Sequence, residues 1–184
     1  QAAAKVKEAT AANGSVEGYE NAEAAAKASV VVLSVPFPAQ AGILKSIRES
    51  LRSAVLVDAT VPLAATVGGK PTRLLGVWEG SAAEQARALV LPGTPVVAAF
   101  HNLAADILQD LSQPLEGDVL ICGDDSAAKQ RLFPLVQALT GLRPVDAGPL
   151  EMARIVESIT ALLISINRRY KVAHAGIRIT GLPA

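Results

Sequence analysis

Few side chains in this sequence could do chemistry directly. It has two histidines, His101 and His174, and one cysteine, Cys122. No carboxylate pair and no nucleophile beside a base stands at a spacing typical of a catalytic site, and two histidines are too few for a multi-histidine metal centre. His101 follows an apolar run, and Ser158 and Thr160 interrupt an apolar helical pattern. The pattern therefore favours a site that lines and orients a reaction, without a bound metal.

Short β-branched runs alternate with helical patterns along most of the chain. The run at 30–35, bounded by Pro36 and Pro38, predicts a strand buried on both faces. The other predicted strands lie at 54–58, 95–100, 118–122 and 142–146, and the predicted helices at 2–12, 21–28, 39–51, 81–90, 103–110 and 126–140. Asn21 is expected to cap the second of these helices. Short links between alternating elements predict an α/β fold with right-handed crossovers and a doubly wound parallel sheet.

From Glu151 onward the pattern becomes one long amphipathic helix that ends near Lys171. Its apolar residues fall at helical spacing on one face: Met152, Ile155, Val156, Ile159, Leu162, Leu163 and Ile166. We therefore expect residues 1–150 to form the sheet domain and residues 151–184 a C-terminal helical segment.

The composition excludes several classes of protein. Lys plus Arg equals Asp plus Glu at 17 each, so no net charge favours nucleic acid or a membrane surface. One cysteine rules out an intrachain disulfide, and we expect Cys122 to be a buried structural thiol in a reducing cytoplasm. The longest uncharged apolar stretch, at 158–167, is about half the length of a membrane-spanning helix.

Six segments together resemble the NADPH-dependent reductases of the deazaflavin coenzyme F420. They are VVVLSVP at 30–36, AFHNLAA at 99–105, CGDD at 122–125, GLRPVDAGPL at 141–150, RIVESITALL at 154–163 and GIRITGL at 176–182. The discriminating parts are the His101-Asn102 pair, the helix at 156–160 and the tail at 176–182. The resemblance implies a Rossmann-like NADP-binding domain and a small helical part closing the site where the deazaflavin stacks on the nicotinamide.

The same resemblance implies which residues line the NADP side of the site. Val35 and Phe37, at the carboxyl end of a strand, pack on NADP, and Leu63 forms a second wall. Ordinary packing of Phe37 and Leu63 remains the alternative. The small side chain of Ala105 lets the nicotinamide amide approach the backbone.

For the region around the two rings, the resemblance places His101 and Leu103 beside them. It aims the hydroxyls of Ser158 and Thr160 at the cofactors, with hydrogen bonding to the preceding turn as the alternative. In the tail, Ala175 and Gly176 contact the deazaflavin, because residues without bulk allow close approach of the backbone.

Three acidic residues are expected to have structural roles. Glu157 is expected to be exposed or paired with Arg154 one turn earlier. Asp124 and Asp125 are expected to cap the helix that follows them.

The implied activity is a reversible hydride transfer between NADPH and coenzyme F420, in a cytoplasmic homodimer that uses the long apolar helix as its interface. Two alternatives stay open: a related NADP-dependent dehydrogenase of a small substrate, which needs a general acid on the long helix, and an inactive fragment that binds only a cofactor or partner. The family's opening glycine-rich βαβ unit has no counterpart here, and the chain starts with Gln1. We therefore expect a truncated chain whose sheet lacks its first strands and has an unpaired edge.

Overall fold

The structure is a computed structural model that describes residues 16–52, 54–105, 108 and 115–182. The helix predicted at 2–12 lies outside these residues, as do residues 106, 107, 109 and 110 of the helix predicted at 103–110.

Strands and helices alternate along the described chain, as the sequence predicts. In chain order they are α1 (Asn21–Lys27), β1 (Val30–Leu33), α2 (Phe37–Leu51), β2 (Val55–Asp58), α3 (Ala82–Leu89), β3 (Val96–Ala98), β4 (Gly117–Gly123), α4 (Ser126–Gln137), β5 (Leu142–Asp146) and α5 (Ala153–Tyr170). Single 3₁₀ turns at Ala64–Val67 and Leu150–Met152 precede α3 and α5.

Local hydrogen bonds explain where two of these helices begin. Ser81 Oγ accepts the backbone N–H of Glu84 at the start of α3. Asp125 Oδ1 accepts the N–H of Ala128, so its predicted capping role is confirmed. The predicted cap at Asn21 is wrong, because α1 begins at that residue and the position before it makes no side-chain capping bond.

The five strands form one sheet in the order β1-β2-β3-β4-β5. The first three strands are parallel, and β5 is parallel to β4, but β4 runs antiparallel to β3. The predicted α/β fold with a doubly wound parallel sheet is therefore confirmed, with one antiparallel pair as the exception. The amide Nδ2 of Asn102, just after β3, donates to the carbonyl of Asp118 in β4 at 2.6 Å. The connection from β3 to β4 therefore begins and ends at the same edge of the sheet. A strand that starts at this edge must run antiparallel to β3.

β1 lies at one end of the sheet order, and it is less buried than predicted. Val32 is 48% exposed, which contradicts the expected burial on both faces. The physical reason is that β1 pairs only with β2 among the described residues. Its outer edge borders an apolar groove of about 380 Å³ between α1 and α2.

Helices cover both faces of the sheet. On one face, Leu56 packs in a cluster with Leu44 of α2, Ala83 of α3 and Val156 of α5. On the other face, the core includes Val57, Val97, Ile121 and Leu132 of α4. Alternate strand residues thus contribute to opposite clusters, as a pleated sheet requires.

Cys122 is fully buried in the first of these clusters, as predicted. Burial raises the pKa of its thiol to about 12, so the thiol is protonated at neutral pH.

The link between β2 and α3 runs over the surface. Leu63 and Leu74 form an isolated antiparallel bridge, and a turn from Val77 to Gly80 leads into the cap of α3. Trp78 in this turn is 98% exposed. Within the described residues, no helix combines the length and the apolar character needed to cross a membrane.

The turn from α4 into β5 depends on Gly141. Its φ is +91°, and an added Cβ would lie 1.7 Å from the carbonyl oxygen of Leu115. We expect Gly141→Ala to lower the free energy of unfolding by at least about 2 kcal/mol, because both the backbone and the contact are strained. Urea denaturation followed by circular dichroism measures this effect.

The matched control is Gly42→Ala in α2, where an added Cβ meets nothing within 4 Å. This change should raise stability by roughly 0.5–1 kcal/mol, because alanine favours the helix. Equal effects of the two substitutions would contradict the account of the Gly141 turn.

Candidate functional site

The candidate site lies at the edge of the sheet where β3 ends and β4 begins. His101 and Asn102 follow β3 and face α5, which carries Thr160. Between these elements is a cavity of about 80 Å³, whose lining includes His101, Asn102, Leu103, Thr160, Leu163 and Ala175. The structure therefore brings together His101, Leu103, Thr160 and Ala175 from the residues named in the sequence analysis.

His101 is a buried, uncharged histidine. Its side chain is only 4% exposed, and burial lowers the pKa of the ring to about 4, an effect that the Asp58 backbone only partly opposes. Phe100 before it has a φ of +71°, a strained value for a residue with a side chain. This left-handed conformation changes the direction of the chain after the end of β3.

Neither ring nitrogen of His101, nor Oδ1 of Asn102, has a hydrogen-bond partner of good geometry among the described residues. A neutral imidazole offers one N–H donor and one acceptor, and the Asn102 oxygen adds a second acceptor. Leaving such atoms buried and unpaired costs roughly 1–3 kcal/mol each. A bound group with both donors and acceptors, such as an amide, would relieve that cost.

The two hydroxyls of α5 have different partners. Thr160 Oγ1 donates to the carbonyl of His101 at 2.7 Å and so connects the helix to the turn. Ser158 Oγ donates to the carbonyl of Arg154 at 2.6 Å, which is the alternative considered in the sequence analysis. Ser158 is not among the residues that line the His101 cavity.

One side chain of α5 holds the start of the C-terminal tail against the site. Asn167, near the end of α5, accepts the N–H of Ala175 at 2.9 Å and donates to the carbonyl of Ala173 at 3.1 Å. Beyond it, Gly176 borders a second cavity of about 260 Å³ with Gly117 and Arg178. The two small tail residues therefore line neighbouring cavities and not a single one.

The rest of the tail is hydrogen-bonded to an ion pair between β4 and β5. Asp118 accepts two hydrogen bonds from Arg143, both at 2.9 Å, and one from the N–H of Ile179 at 2.6 Å. Hydrogen bonding from Arg143 lowers the pKa of the Asp118 carboxyl, so it remains ionised. The backbone N–H of Asp118 also donates to the carbonyl of Ile177 at 2.8 Å.

The other predicted site residues lie apart from the His101 cavity. Val35 lines the groove beside β1, and Phe37 is the first residue of α2. Leu63 takes part in the bridge with Leu74, and Ala105 is exposed after the His101 turn. These positions surround the sheet edge without meeting at one point.

A buried polar cluster that the sequence patterns did not predict lies beside this site. The amide Nε2 of Gln40 lies 2.6 Å from Asp58 Oδ2 and 2.9 Å from both Thr60 Oγ1 and the carbonyl of Ala82. Burial raises the pKa of Asp58 to about 6, although hydrogen bonds from Thr60 and Gln40 oppose the shift. An acidic residue at the carboxyl end of β2 was the available signal, since buried strands rarely end in an unpaired carboxylate.

Glu157 is also placed differently from the prediction. It is 2% exposed, and its carboxylate accepts the backbone N–H groups of Ala82 and Ala83 at 2.9 and 3.1 Å. The predicted pairing with Arg154 is wrong, because Arg154 donates to Glu84 instead. Helical spacing alone could not show that the start of α3 faces this position.

Among the described residues, no group of three or more histidine, cysteine or acidic side chains could hold a metal ion. The chemical groups that the described site offers are a neutral histidine, amides, hydroxyls and apolar side chains.

Comparisons with known proteins agree on one family. Residues 1–62 match the family described as "NADP oxidoreductase coenzyme F420-dependent". The chain is 49% identical over 170 residues to the F420-dependent NADP reductase of Methanothermobacter thermautotrophicus, which covers 92% of this chain and 73% of the relative. It is 42% identical over 185 residues to the F420-dependent NADP reductase of Methanocaldococcus jannaschii, which covers 99% of this chain and 82% of the relative.

A solved structure agrees with these relatives. A crystal structure from Arthrobacter sp. FB24, provisionally described as an F420-dependent NADP reductase, superposes with a TM-score of 0.76 at 26% identity. The match covers 88% of this chain and 74% of that one.

The histidine ring should titrate abnormally. Because burial lowers the pKa of His101 from 6.5 to about 4, we expect its ring resonances to stay constant from pH 8 down to about pH 5. The folded state then binds fewer protons than the unfolded state between these two pKa values, so His101 favours unfolding as pH falls from 6.5 towards 4.

Proton and carbon NMR of the two histidine rings measures this directly, with assignment by His101→Gln. The exposed His174 supplies an internal comparison in the same sample. A titration midpoint of His101 near 6.5 would contradict the buried, neutral ring.

Proposed function

The chain belongs to the family of F420-dependent NADP reductases, and from this membership and the site geometry we propose that it transfers a hydride between NADPH and coenzyme F420. The buried His101 ring lies beside an apolar cavity, and neither of its nitrogens has a hydrogen-bond partner of good geometry in the part of the chain that the structure describes; this observation best supports a ring-binding site. The nicotinamide and deazaflavin rings, when bound, supply the carbons that give and receive the hydride.

The residues of the cavity fit the polar edge of such a ring. His101, held neutral by burial, can donate one N–H and accept one hydrogen bond, and Asn102 Oδ1 can accept another. A cavity of about 80 Å³ takes an amide or a carbonyl edge rather than a whole coenzyme. A neutral ring also adds no charge that would resist hydride movement in either direction.

Apolar side chains complete the site. Leu103 and Leu163 border the cavity and would exclude water and press the rings together. Thr160 holds the His101 carbonyl, which keeps the turn against α5. Ser158, two residues before Thr160, lies on a different face of α5. For the proposed contact with a cofactor, its hydroxyl would have to leave the carbonyl of Arg154.

The remaining positions form the proposed outer contacts. Val35 and Phe37 would pack on NADP, with Leu63 as a second wall and Ala105 near the nicotinamide amide. This division assigns residues 1–150 to NADP binding and residues 151–184, including Ala175 and Gly176, to closing the deazaflavin site. The tail is already fixed beside β4 through Asp118 and Arg143, which supports its closing role.

The alternative function, an NADP-dependent dehydrogenase of a small substrate, needs a general acid on α5, and this helix does not supply one. Its one buried acid, Glu157, has both oxygens engaged by backbone N–H groups, so it is not free to protonate a small substrate.

A homodimer that forms through α5 fits the helix surface. Ile155 and Leu162 are 55% and 56% exposed and stand two turns apart, with the half-buried Ile159 between them. Such a stripe is typical of a helix that packs against a second copy. The buried, protonated thiol of Cys122 fits a reducing cytoplasm.

The activity test mixes the chain with NADPH and oxidised coenzyme F420 and follows the loss of the visible absorbance of the deazaflavin. We expect His101→Ala to lower kcat/KM by about 100-fold, because the ring edge loses its orienting partner. Ser46→Ala is the control, since it removes an exposed hydroxyl that donates to a main-chain carbonyl at 2.7 Å far from the cavity. Equal rates for the two variants would remove His101 from the mechanism, and no turnover by the unaltered chain would count against the proposed activity.

The dimer test places a charge on the exposed stripe. Leu162→Lys should halve the molar mass measured by size-exclusion chromatography with light scattering, because a charge is costly in an apolar interface. Leu135→Lys is the control, since Leu135 is 47% exposed on α4, on the opposite face of the sheet. A monomeric unaltered chain, or loss of the dimer in both variants, would contradict the interface.

A further inference from the structure

Glu157 links α5 to an element that is distant in the sequence. Its two carboxylate oxygens accept N–H groups from successive residues, Ala82 and Ala83, at the first turn of α3. These N–H groups have no partner within their own helix, and the positive end of the helix dipole favours an anion there. The side chain is 2% exposed, so water cannot replace these hydrogen bonds.

Thr160 stands one turn further along α5 and makes the helix's hydrogen bond to the His101 turn. Its hydroxyl donates to the His101 carbonyl at 2.7 Å. Residues three apart lie on nearly the same face of a helix, so a shift of α5 at Glu157 would also move Thr160. The two contacts join α3, α5 and the His101 turn in series.

We propose that Glu157 is a positioning residue of the ring site: its carboxylate holds α5 in register on α3, and through Thr160 this holds the His101 turn that borders the cavity. The inference deepens the proposed function and rests on it for its significance. The positioning itself is a property of the chain without any coenzyme.

The burial of Glu157 and the charges around it make its contact with α3 depend on pH. Burial raises the pKa of Glu157, the hydrogen bonds from Ala82 and Ala83 oppose the shift, and the nearby carboxyls of Asp58 and Glu84 add to it, so that the pKa is about 7. Arg154 on α5 is paired with Glu84, and the protonated thiol of Cys122 lies on the β4 side.

The sign of the pH effect follows from proton linkage. The pKa of Glu157 is about 7 where the side chain is buried against α3, compared with the ordinary value of 4.5, so the state with α5 docked retains a proton that the undocked state loses. We therefore expect the hold of α5 on α3 to weaken as pH rises from 4.5 to about 7 and to stay constant above that pH. The contribution to global stability has the same sign.

Amide hydrogen exchange tests the proposal without a coenzyme. The amide of Leu103 donates to the Phe100 carbonyl at 3.2 Å and reports on the His101 turn, and that of Ala83 reports on the Glu157 contact. At pH 8 we expect Glu157→Gln to lower the protection of both amides about tenfold, with the amides of β3 and β4 unchanged. In the unaltered chain the protection of Leu103 should fall as pH rises from 4.5 to about 7 and then stay constant, and the variant should show no such fall.

Glu151→Gln is the matched control, because it removes the same charge from an exposed position one 3₁₀ turn before α5. A second variant, Thr160→Val, should loosen Leu103 but leave Ala83 protected, and combining it with Glu157→Gln should add little further loss at Leu103. Unchanged Leu103 protection in Glu157→Gln would overturn the proposal, and so would a loss shared equally with the core strands.

The coenzyme assay then separates this inference from the proposed function. Glu157→Gln should raise the KM for coenzyme F420 at least fivefold while changing kcat less, because a displaced turn weakens ring binding first. Absence of turnover in every variant would refute the proposed function, while the exchange result would still decide the role of Glu157.

Discussion

The amide of Gln40 makes the contact on which the arrangement of the site edge depends. It lies between the carboxyl end of β2 and the first residue of α3, within 2.6 to 2.9 Å of Asp58, Thr60 and Ala82. Its own carbonyl accepts from Gln85, so both ends of the amide are paired. A buried carboxylate such as Asp58 must be hydrogen-bonded to be tolerated, and this requirement fixes α2 and α3 relative to the sheet. Glu157 extends the same polar cluster to α5.

The antiparallel direction of β4 determines which strand ends lie together at the edge of the sheet where the site is found. Parallel strands alone would bring together only carboxyl ends, but β4 is antiparallel to β3, so its amino end lies on the same side of the sheet, where Asn102 beyond β3 reaches it. Asp118 at that amino end binds Arg143 and the tail through its side chain, while its carbonyl accepts from Asn102. One aspartate thus connects the tail, the sheet and the His101 turn, so the positions of the tail and of the turn depend on the same residue.

The sequence predicted those features that depend on neighbours along the chain. The strand at Leu142–Asp146, the cap at Asp125 and the buried Cys122 follow from local periodicity and hydrogen bonding. The features it predicted wrongly depend on partners far away in the chain. Val32 lies in a β-branched run, but it is half exposed because its strand is at an edge of the sheet. The helical pattern predicts Glu157 to be a surface residue, but its side chain is buried against Ala82 and Ala83, which are 75 and 74 positions earlier in the chain. The direction of β4 and the partners of Gln40 are likewise set by tertiary contacts that periodicity does not encode.

The exposed turn before α3 has a consequence for optical experiments. Trp78 is the one tryptophan of the sequence, and 98% of it is already in water in the folded state. Its emission should therefore hardly change when the chain unfolds, and a flat fluorescence trace during denaturation would not signify a stable protein. The same isolation makes the indole a clean energy donor, since any quenching when a reduced nicotinamide is added would report the proximity of that ligand and not a rearranged core.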